Sequence, residues 1–474
     1  MKPSSAPSDL IPRFQAALGA RHVLSEPADQ APYLAEPRDL WHGKAAAVLR
    51  PGSVDEVATV LQIAAETQTP VVPQGGNTGL VGGQTPDGTG REVVLSLERL
   101  NRIRDLDRQG NTMLAEAGVI LADAQRAADD ADRLFPLSLA AEGSCRIGGN
   151  LATNAGGTAM LAYGNARDMV LGLEVVLADG RVWNGLRALR KDNTGYDLKH
   201  LFIGSEGTLG IITAAVLKLF PKPRERVTAF IGVPHPAAAL ALFDTARAQA
   251  GSQVTTCELI ARIGLDFVLR HGADTRDPLT EPHPYYVLLE LSSPLSDAGL
   301  RAVMERILMG AHDSGVAADA VLAESLAQQA QFWRLRELLP EVQSPEGGSI
   351  KHDVSVPLAR IPDFIARASE AALRVVPGCR PLPFGHIGDG NVHFNVSQPE
   401  GADAAQFLAR WEDMAAAVHE VALKLGGSIS AEHGIGRLKR PLMDHIKDPV
   451  ELGLMRDLKR MLDPQGLLNP GKLI

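Results

Sequence analysis

The sequence predicts an α+β protein with more than one domain, and three observations support this prediction. The chain has 474 residues, which exceeds the length of one ordinary domain. In the first half, short β-like runs alternate with helical patterns. Pro221 and Pro223 end an apolar stretch, and the pattern changes beyond them, so the first domain boundary is placed there.

Local patterns predict the elements of the first half. A helix is expected over residues 54–65, where Ser53 precedes the helical pattern and Asp55 and Glu56 stand in the first turn. A second helix is expected over residues 121–131. Short apolar runs predict strands over residues 46–50, 71–72, 93–95, 113–115, 173–177 and 210–220.

Beyond residue 223 the sequence predicts a second α+β domain, with helices covering one face of a sheet. Strands are expected over residues 227–233 and 285–291, with a β-hairpin over 382–396. Helices are expected over residues 237–250, 300–309, 319–339, 358–375 and 402–425. The chain is therefore divided into domains 1–222 and 223–425, followed by a C-terminal segment, 426–474.

Composition is that of an ordinary globular protein and argues against two classes of partner. Hydrophobic residues make up 45% of the chain and charged residues 22%, both usual values. The formal net charge of −9 provides no broad surface for phosphates, so no nucleic-acid partner is expected. Because no run approaches about 18 consecutive apolar residues, no transmembrane segment is expected.

Cysteine spacing and the first residues bear on the location of the protein. Cys145, Cys257 and Cys379 are far apart and include no CxxC pair, so we expect buried, reduced thiols. Residues 1–10 lack the apolar stretch of a signal peptide. Both features favour a cytoplasmic location.

Three glycine-rich segments indicate a nucleotide-type ligand. Residues 73–83 contain five glycines after a predicted strand, and such a loop exposes backbone N–H groups to a pyrophosphate. It has neither the Walker A nor the GxGxxG spacing, and a purely structural turn is the alternative. In residues 142–157, Asn150 and Asn154 supply amides that suit the edge of a flavin ring. The third segment is 204–212.

A histidine-rich hairpin indicates a metal site. The Asp389-Gly390 turn would bring His386 and His393 toward each other, while strand alternation places His393 and Asn395 on one face. Together with Glu432, two imidazoles and a carboxylate suit Zn²⁺ or a similar divalent ion. Taken alone, each histidine is more often a hydrogen-bonded polar or core residue, and the pair across a hairpin favours the metal site.

Two cations indicate an acidic substrate. Arg336 stands near the end of a predicted helix, and Lys351 follows fifteen residues later. Arginine suits bidentate binding of a carboxylate. An arginine on a solvated helix face is the alternative interpretation.

These segments resemble a known family in order and spacing. The loop 73–83, the GGNLATNAGG run at 148–157, residues 163–165, the strand and turn at 173–180 and GSEGTLGII at 204–212 resemble the FAD-binding domain of the vanillyl-alcohol oxidase superfamily. From about residue 40 onward the chain resembles its D-2-hydroxyglutarate and D-lactate dehydrogenase branch. The resemblance implies a two-subdomain FAD-binding domain, an α+β cap domain with an antiparallel sheet, and a C-terminal segment that closes the active site and returns to the flavin.

The resemblance also implies which residues contact FAD. Around the pyrophosphate these are Pro73, Gly75, Gly76, Asn77, Thr78, Gly79, Gly82 and Gly83. Along the rest of the cofactor they are Gly143, Ser144, Gly148, Asn150, Asn154, Gly157, Glu206, Gly207, Ile212 and Asn469. Because the first loop lacks the histidine that tethers FAD in some relatives, the flavin is expected to be non-covalent.

The implied activity is oxidation of a D-2-hydroxy acid to the 2-oxo acid, with D-2-hydroxyglutarate first and D-lactate second. His386, His393 and Glu432 would bind a divalent metal, with zinc as first choice, and His433 would be the general base. Substrate contacts are assigned to Arg336, Lys351 and Asn395. In one departure from the family, dicarboxylate-specific relatives can have threonine where this chain has Pro340, which offers no hydroxyl.

Other functions and partners stay open at this stage. A glycolate-oxidase-type subunit, a metal-dependent hydrolase and a non-catalytic flavin-binding protein are the alternatives. No HExxH motif or nucleophile elbow supports the hydrolase. The resemblance implies an electron-transfer flavoprotein or a quinone as electron acceptor, and a homodimer as one assembly.

Overall fold

The computed structural model describes residues 9–474 and divides the chain into two compact units. Residues 1–8 lie outside the described residues, and they make up most of the segment 1–10 whose composition argues against a signal peptide. The first unit contains the chain up to Gly157, Gly164–Lys222 and Glu432–Ile474. The second contains Thr158–Tyr163 and Pro223–Ala431. Within residues 9–474, none of the helices combines the length and apolar character needed to cross a membrane.

Up to residue 222 the chain alternates short helices and strands. The helices are α1 (Leu10–Leu18), α2 (Pro27–Leu34), α3 (Val54–Thr67), α4 (Leu121–Asp130), α5 (Ile147–Ala152), α6 (Met160–Tyr163) and α7 (Lys199–Phe202). The strands are β1 (Val23–Leu24), β2 (Ala47–Leu49), β3 (Val71–Gln74), β4 (Val93–Ser96), β5 (Ile103–Asp107), β6 (Thr112–Glu116), β7 (Arg133–Leu134), β8 (Val170–Val176), β9 (Val182–Gly185), β10 (Ile211–Lys218) and β11 (Phe220–Pro221).

Longer strands and helices follow residue 222. The strands are β12 (Glu225–Val233), β13 (Val254–Ala261), β14 (Tyr285–Ser293), β15 (Asp319–Leu322), β16 (Ser349–Ile350), β17 (Asp353–Ser355), β18 (Arg380–His386) and β19 (Asn391–Ser397). The helices are α8 (Pro236–Ala250), α9 (Arg262–His271), α10 (Leu300–Asp313), α11 (Leu326–Glu337), α12 (Ile361–Val375), α13 (Ala404–Leu408), α14 (Trp411–Lys424), α15 (Met443–Ile446) and α16 (Pro449–Leu462). Short 3-10 helices occupy Ala20–His22, Gly251–Gln253, Ser344–Glu346, Leu358–Arg360 and Arg440–Leu442.

The first unit is built on two main sheets. One has the strand order β1-β2-β4-β3, with β2 and β3 parallel to β4, and the other is antiparallel in the order β5-β6-β10-β8-β9. Helix α3 begins as predicted, because the Ser53 side chain accepts a hydrogen bond from the amide of Glu56. The apolar face of α3 packs on the first sheet through Val57, Leu61 and Ala64.

The C-terminal segment returns to the edge strand β3. The amide of Val71 donates to the carbonyl of Leu467, and the amide of Asn469 donates to the carbonyl of Val71. Both bonds use groups on the outer edge of β3, which has β4 on its other side. The residues after α16 are therefore fixed beside the loop that follows β3.

The second unit is built on one antiparallel sheet with the order β15-β12-β14-β13-β18-β19-β16, and β17 also pairs with β19. The predicted hairpin is confirmed, since β18 and β19 pair from Arg380 with Ser397 to Phe384 with His393. The expectation that helices cover one face of the sheet was wrong. Core residues of α8, α10, α12 and α14 pack on one face and those of α9 and α11 on the other. Both faces are buried, so β12, β13 and β14 are apolar along most of their length.

Two other expectations for this unit require correction, and strand β13 was missed. Residues 319–322 form strand β15 rather than the start of a helix, because they pair with β12, and α11 begins only after Ser325, which caps it. The helix expected over 402–425 is two helices, since the amide of Arg410 bonds to Phe407, three residues back, and α13 ends there. Strand β13 was not predicted, although it pairs with both β14 and β18.

Candidate active site

A row of polar side chains crosses the second unit's sheet. Glu258 on β13 pairs directly with His386 on β18, and His393 on β19 pairs with Phe384 on β18 and with Asp353 on β17. Directly paired residues point to the same face of an antiparallel sheet, and so do residues two apart on one strand. The register of three strand pairs therefore assembles this row.

Glu258 holds two of the predicted site residues. His386 Nδ1 lies 2.5 Å from Glu258 Oε1, and Arg336 Nε donates to Glu258 Oε2 over 2.6 Å. All three side chains are buried. Burial alone would raise the pKa of Glu258, but its interactions with His386 and Arg336 outweigh burial and hold that pKa at about 2.

The two predicted histidine ligands lie together. A ring nitrogen of His386 is within 4.8 Å of one of His393, and the ring centroids are 5.6 Å apart. Since Glu258 engages Nδ1 of His386, Nε2 is the nitrogen that would bind a metal, an arrangement usual for metal-binding histidines. Asp353 Oδ1 lies 3.8 Å from His393 Nδ1 and also accepts from Asn391 Nδ2 at 3.0 Å. The two neighbouring imidazoles fit part of the ligand set of a divalent ion that prefers nitrogen and oxygen ligands.

The predicted substrate cations belong to the same unit. The buried guanidinium of Arg336 stacks over the ring of Phe384, with 5.0 Å between the guanidinium carbon and the ring centroid. Lys351 Nζ donates to the carbonyl of Pro340 over 3.2 Å. Arg336 is therefore buried, and the alternative interpretation of a solvated arginine on a helix face was wrong.

Asn395 is buried and points into the unit. Its Nδ2 donates to Gln343 Oε1 over 2.9 Å, and Gln343 in turn donates to the carbonyl of Leu339. The side chain that was predicted to contact substrate therefore has its amide nitrogen engaged within the protein. Residues 339–343 follow α11, so Asn395 ties β19 to the chain segment after Arg336.

Glycines allow close packing of the segments that were predicted to contact FAD. These segments, 73–83, 142–157 and 204–212, are called the cofactor segments. A β-carbon on Gly76 would clash with the carbonyl oxygen of Ser144, so the loop after β3 touches the segment before α5 only because residue 76 is glycine. Gly157, with φ +116°, has a backbone conformation that favours glycine, and its amide donates to Glu432 Oε1 over 2.8 Å. The predicted ligand Glu432 is therefore anchored to the end of the 148–157 run.

Glu206 joins another cofactor segment to the C-terminal part of the chain. Its carboxylate accepts hydrogen bonds of 2.7 Å from the amides of Ile435 and of Gly436. Burial raises the pKa of Glu206 above its ordinary value, against the effect of these two amides. Glu206 was predicted to contact FAD, and in the structure both of its oxygens hold the segment just after His433.

Two buried amide oxygens indicate that this unit fits a ligand with N–H or O–H donors. Asn469 Nδ2 donates to the carbonyls of Gly83 and Glu206, and Asn77 Nδ2 donates to Ala35. The Oδ1 atom of each asparagine is buried and receives no hydrogen bond from residues 9–474. Buried acceptors normally have a partner. FAD carries suitable N–H and O–H donors on its ring, its ribityl chain and its ribose.

The remaining predicted cofactor residues also belong to the first unit. Pro73 is on β3, Ile212 is on β10, and Gly148 and Asn150 are in α5. The others lie in the connecting segments: Gly75, Thr78, Gly79, Gly82, Gly83, Gly143, Ser144, Asn154 and Gly207. The predicted base His433 follows Glu432 in this unit.

One residue of this row, Glu258, was not predicted from the sequence. Glu258 lies in the run VTTCELIA, where it is the one charged residue among apolar and β-branched neighbours. A lone carboxylate in such a run signals a buried charge that needs a partner. The partner is 128 residues away in the chain, so the sequence alone does not identify it.

Family models match most of the chain. The model described as the FAD binding domain matches residues 45–185, and that of the FAD linked oxidases, C-terminal domain, matches residues 222–473. Solved structures support the fold alone. p-Cresol methylhydroxylase with substrate bound aligns with a TM-score of 0.78 at 18% identity, over 98% of this chain and 96% of the other. Alkyldihydroxyacetonephosphate synthase aligns with a TM-score of 0.74 at 17% identity, over 99% and 86%.

Curated relatives are similar over nearly the whole length. D-2-hydroxyglutarate dehydrogenase of Xanthomonas citri pv. viticola is 39% identical over 97% of this chain and 96% of its own. The mitochondrial D-2-hydroxyglutarate dehydrogenase of Bos taurus is 40% identical over 95% and 81%. The D-2-hydroxyglutarate–pyruvate transhydrogenase of Saccharomyces cerevisiae is 34% identical over 98% and 94%.

The fold and these matches define a FAD-binding oxidoreductase that acts on a CH–OH donor, with the vanillyl-alcohol oxidase type of fold. They confirm the predicted α+β class and the resemblance on which the predicted activity rests. More closely, the chain belongs to the FAD-linked oxidase family that includes the D-2-hydroxyglutarate dehydrogenases.

Proposed function

We propose that the protein oxidises D-2-hydroxyglutarate to the corresponding 2-oxo acid in a FAD- and metal-dependent reaction. D-lactate is the second candidate substrate. The observation that carries this proposal is the row in the second unit, where His386 and His393 lie on one sheet. Arg336, buried on helix α11, bonds to Glu258 in that row. A buried cation beside potential metal ligands suits an anionic substrate with a neighbouring hydroxyl. The names of the relatives support the choice of substrate.

Each side chain has a separate task in this proposal. Arg336 and Lys351 bind substrate carboxylates, and Asn395, held by Gln343, also contacts the substrate. His433 accepts the substrate hydroxyl proton on a ring nitrogen. His386 and His393 would hold the metal, with Glu432 proposed as third ligand, and a divalent ion there supplies Lewis-acid stabilisation of negative charge. When bound, FAD supplies the hydride acceptor.

The finer identity of cofactors and surroundings is part of the same proposal. We infer non-covalent FAD because residues 73–83 contain no histidine, and zinc because the ligand set is two imidazoles and a carboxylate. The three buried cysteines suit a reducing compartment such as the cytoplasm. An electron-transfer flavoprotein or a quinone would reoxidise the flavin, and a homodimer is the proposed assembly.

The flavin absorbance of the purified holoenzyme tests the proposed substrate. Under anaerobic conditions, D-2-hydroxyglutarate is expected to bleach the flavin fastest at equal concentration, followed by D-lactate. Faster bleaching by glycolate would favour the glycolate-oxidase-type alternative. A flavin that none of the three acids bleaches would contradict the proposed activity.

A further inference from the structure

Glu258 is a buried carboxylate to which the proposed mechanism gives no chemical step. It is 1% exposed, it lies on strand β13, and it bonds His386 with one oxygen and Arg336 with the other. The first of these is a proposed metal ligand and the second a proposed substrate cation. One carboxylate thus touches two residues with different tasks.

The bond to His386 fixes how its ring can serve a metal. Because Nδ1 is directed at Glu258 Oε1, the ring cannot rotate about its χ angles without losing a charge-assisted hydrogen bond. The same bond keeps the proton on Nδ1 and the lone pair on Nε2. His386 is therefore oriented and in the correct tautomer before any metal binds.

The bond to Arg336 involves Nε and not the two terminal nitrogens of the guanidinium. Nε is the atom that meets Glu258 Oε2, and within residues 9–474 no hydrogen bond from either terminal nitrogen to the protein is found. Those two nitrogens form the fork that binds a carboxylate in bidentate fashion. Glu258 and the ring of Phe384 together hold that fork in place.

We propose that Glu258 is a positioning residue that aligns the metal ligand His386 and the substrate cation Arg336, so that metal binding and carboxylate binding depend on one side chain. This inference rests on the proposed function. A purely stabilising ion pair is the competing explanation, but buried ion pairs contribute little net stability once desolvation is counted. The two explanations differ in what the Glu258→Gln variant does to the folded protein.

Glutamine has one acceptor oxygen where glutamate has two, so Glu258→Gln cannot keep both bonds. We expect the zinc dissociation constant, measured by competition with a chromogenic chelator, to rise about 10- to 100-fold. The KM for D-2-hydroxyglutarate should rise as well, while FAD content stays that of the wild type. Both readouts concern folded protein, so a loss of stability alone would not move them.

Glu290→Gln is the matched control. Glu290 is also a buried glutamate, on the neighbouring strand β14, two residues from the Leu288 that pairs with Glu258. Its carboxylate accepts from the Thr228 hydroxyl at 3.0 Å and from Trp333 Nε1 at 2.8 Å, and Arg226 Nε lies 3.7 Å away. None of these three is a proposed site residue. We expect this variant to bind zinc and substrate as the wild type does.

If Glu258→Gln does not fold, Glu258→Asp is measured instead, because it keeps the charge but is too short to reach both partners. Weaker zinc binding and a raised KM in either variant, with Glu290→Gln unchanged, support the proposal. Wild-type values for both readouts in a folded Glu258 variant overturn it and leave the proposed function intact. Wild-type protein that binds no zinc overturns the metal site of the proposed function, and this inference with it.

Discussion

The two units build their candidate sites by different means. In the first, the cofactor segments are joined through backbone groups, as where Gly76 packs on the Ser144 carbonyl or where Asn469 bonds the carbonyl of Gly83. In the second, side chains on paired strands do this, as with Glu258 and His386. A backbone-built site leaves a local glycine signature in the sequence, whereas a side-chain site depends on strand register.

The largest expected effect tests whether the two sites work separately. His386→Ala removes one proposed ligand from the second unit, and the loss of several kcal/mol of Lewis-acid stabilisation should lower kcat/KM for D-2-hydroxyglutarate roughly 10²- to 10³-fold. FAD content, measured from the visible spectrum, should stay unchanged. His312→Ala, at an exposed position on α10, is the control and should leave both values alone. Loss of FAD from His386→Ala would contradict the separation.

Arg336→Lys tests a side chain of the candidate site in the second unit. Lysine keeps the charge but not the fork, so one charge-assisted hydrogen bond to the substrate is lost, about 1.5–3 kcal/mol, which corresponds to roughly a 10- to 100-fold rise in KM. Steady-state kinetics with D-2-hydroxyglutarate measure it. Arg334→Lys, on the exposed side of the same helix, should change KM by less than about twofold. Equal KM values for the two variants would argue against substrate binding by Arg336.

Asn469→Asp tests the candidate site of the first unit, where side chains and backbone groups join the cofactor segments. Aspartate has the same shape but no donor, so the bonds to the carbonyls of Gly83 and Glu206 are lost. Without these two bonds the Oδ1 acceptor is no longer held in place for FAD. We expect FAD to bind about tenfold more weakly, as for the loss of one hydrogen bond to FAD of about 1–1.5 kcal/mol. Titration of the apoprotein with FAD measures the change. Undiminished FAD affinity would mean that Asn469 acts in folding alone.

The smallest expected effect on activity concerns a charge in the second unit away from the site, which acts on stability. Burial would raise the pKa of Glu346, but Arg380, His271 and Arg270 hold it at about 2. A carboxyl with a lowered pKa in the folded state stabilises the fold above its unfolded value of about 4.5, and this stabilisation is lost as the pH falls from 4.5 to 2. Glu346→Gln should lower the free energy of unfolding at pH 7 by roughly 1–3 kcal/mol.

Denaturant unfolding at several pH values tests this prediction. Between pH 4.5 and pH 2 the wild type should lose stability more steeply than Glu346→Gln, so that the two curves converge. Activity at pH 7 should not change, because Glu346 contacts none of the proposed site residues directly. Parallel curves over the whole range would contradict the cause assigned to the lowered pKa.

Local signals account for what the sequence predicted correctly. The helix after Ser53 and the hairpin around Asp389-Gly390 follow from a cap and a turn that involve neighbouring residues. Strand β13 was missed because its apolar run has no alternation, which is the consequence of burial on both faces. Glu258 was missed along with it, because its partners are defined by the register of β13 with β18.

Metal dependence of flavin reduction tests the central claim most directly, that substrate oxidation needs a metal held by His386 and His393 while FAD binding does not. The holoenzyme is mixed anaerobically with D-2-hydroxyglutarate before chelation, after chelation and after zinc is returned. We predict bleaching that chelation abolishes and zinc restores, with FAD bound throughout. Bleaching that proceeds equally fast after exhaustive chelation would contradict the metal site and the role assigned to His386 and His393.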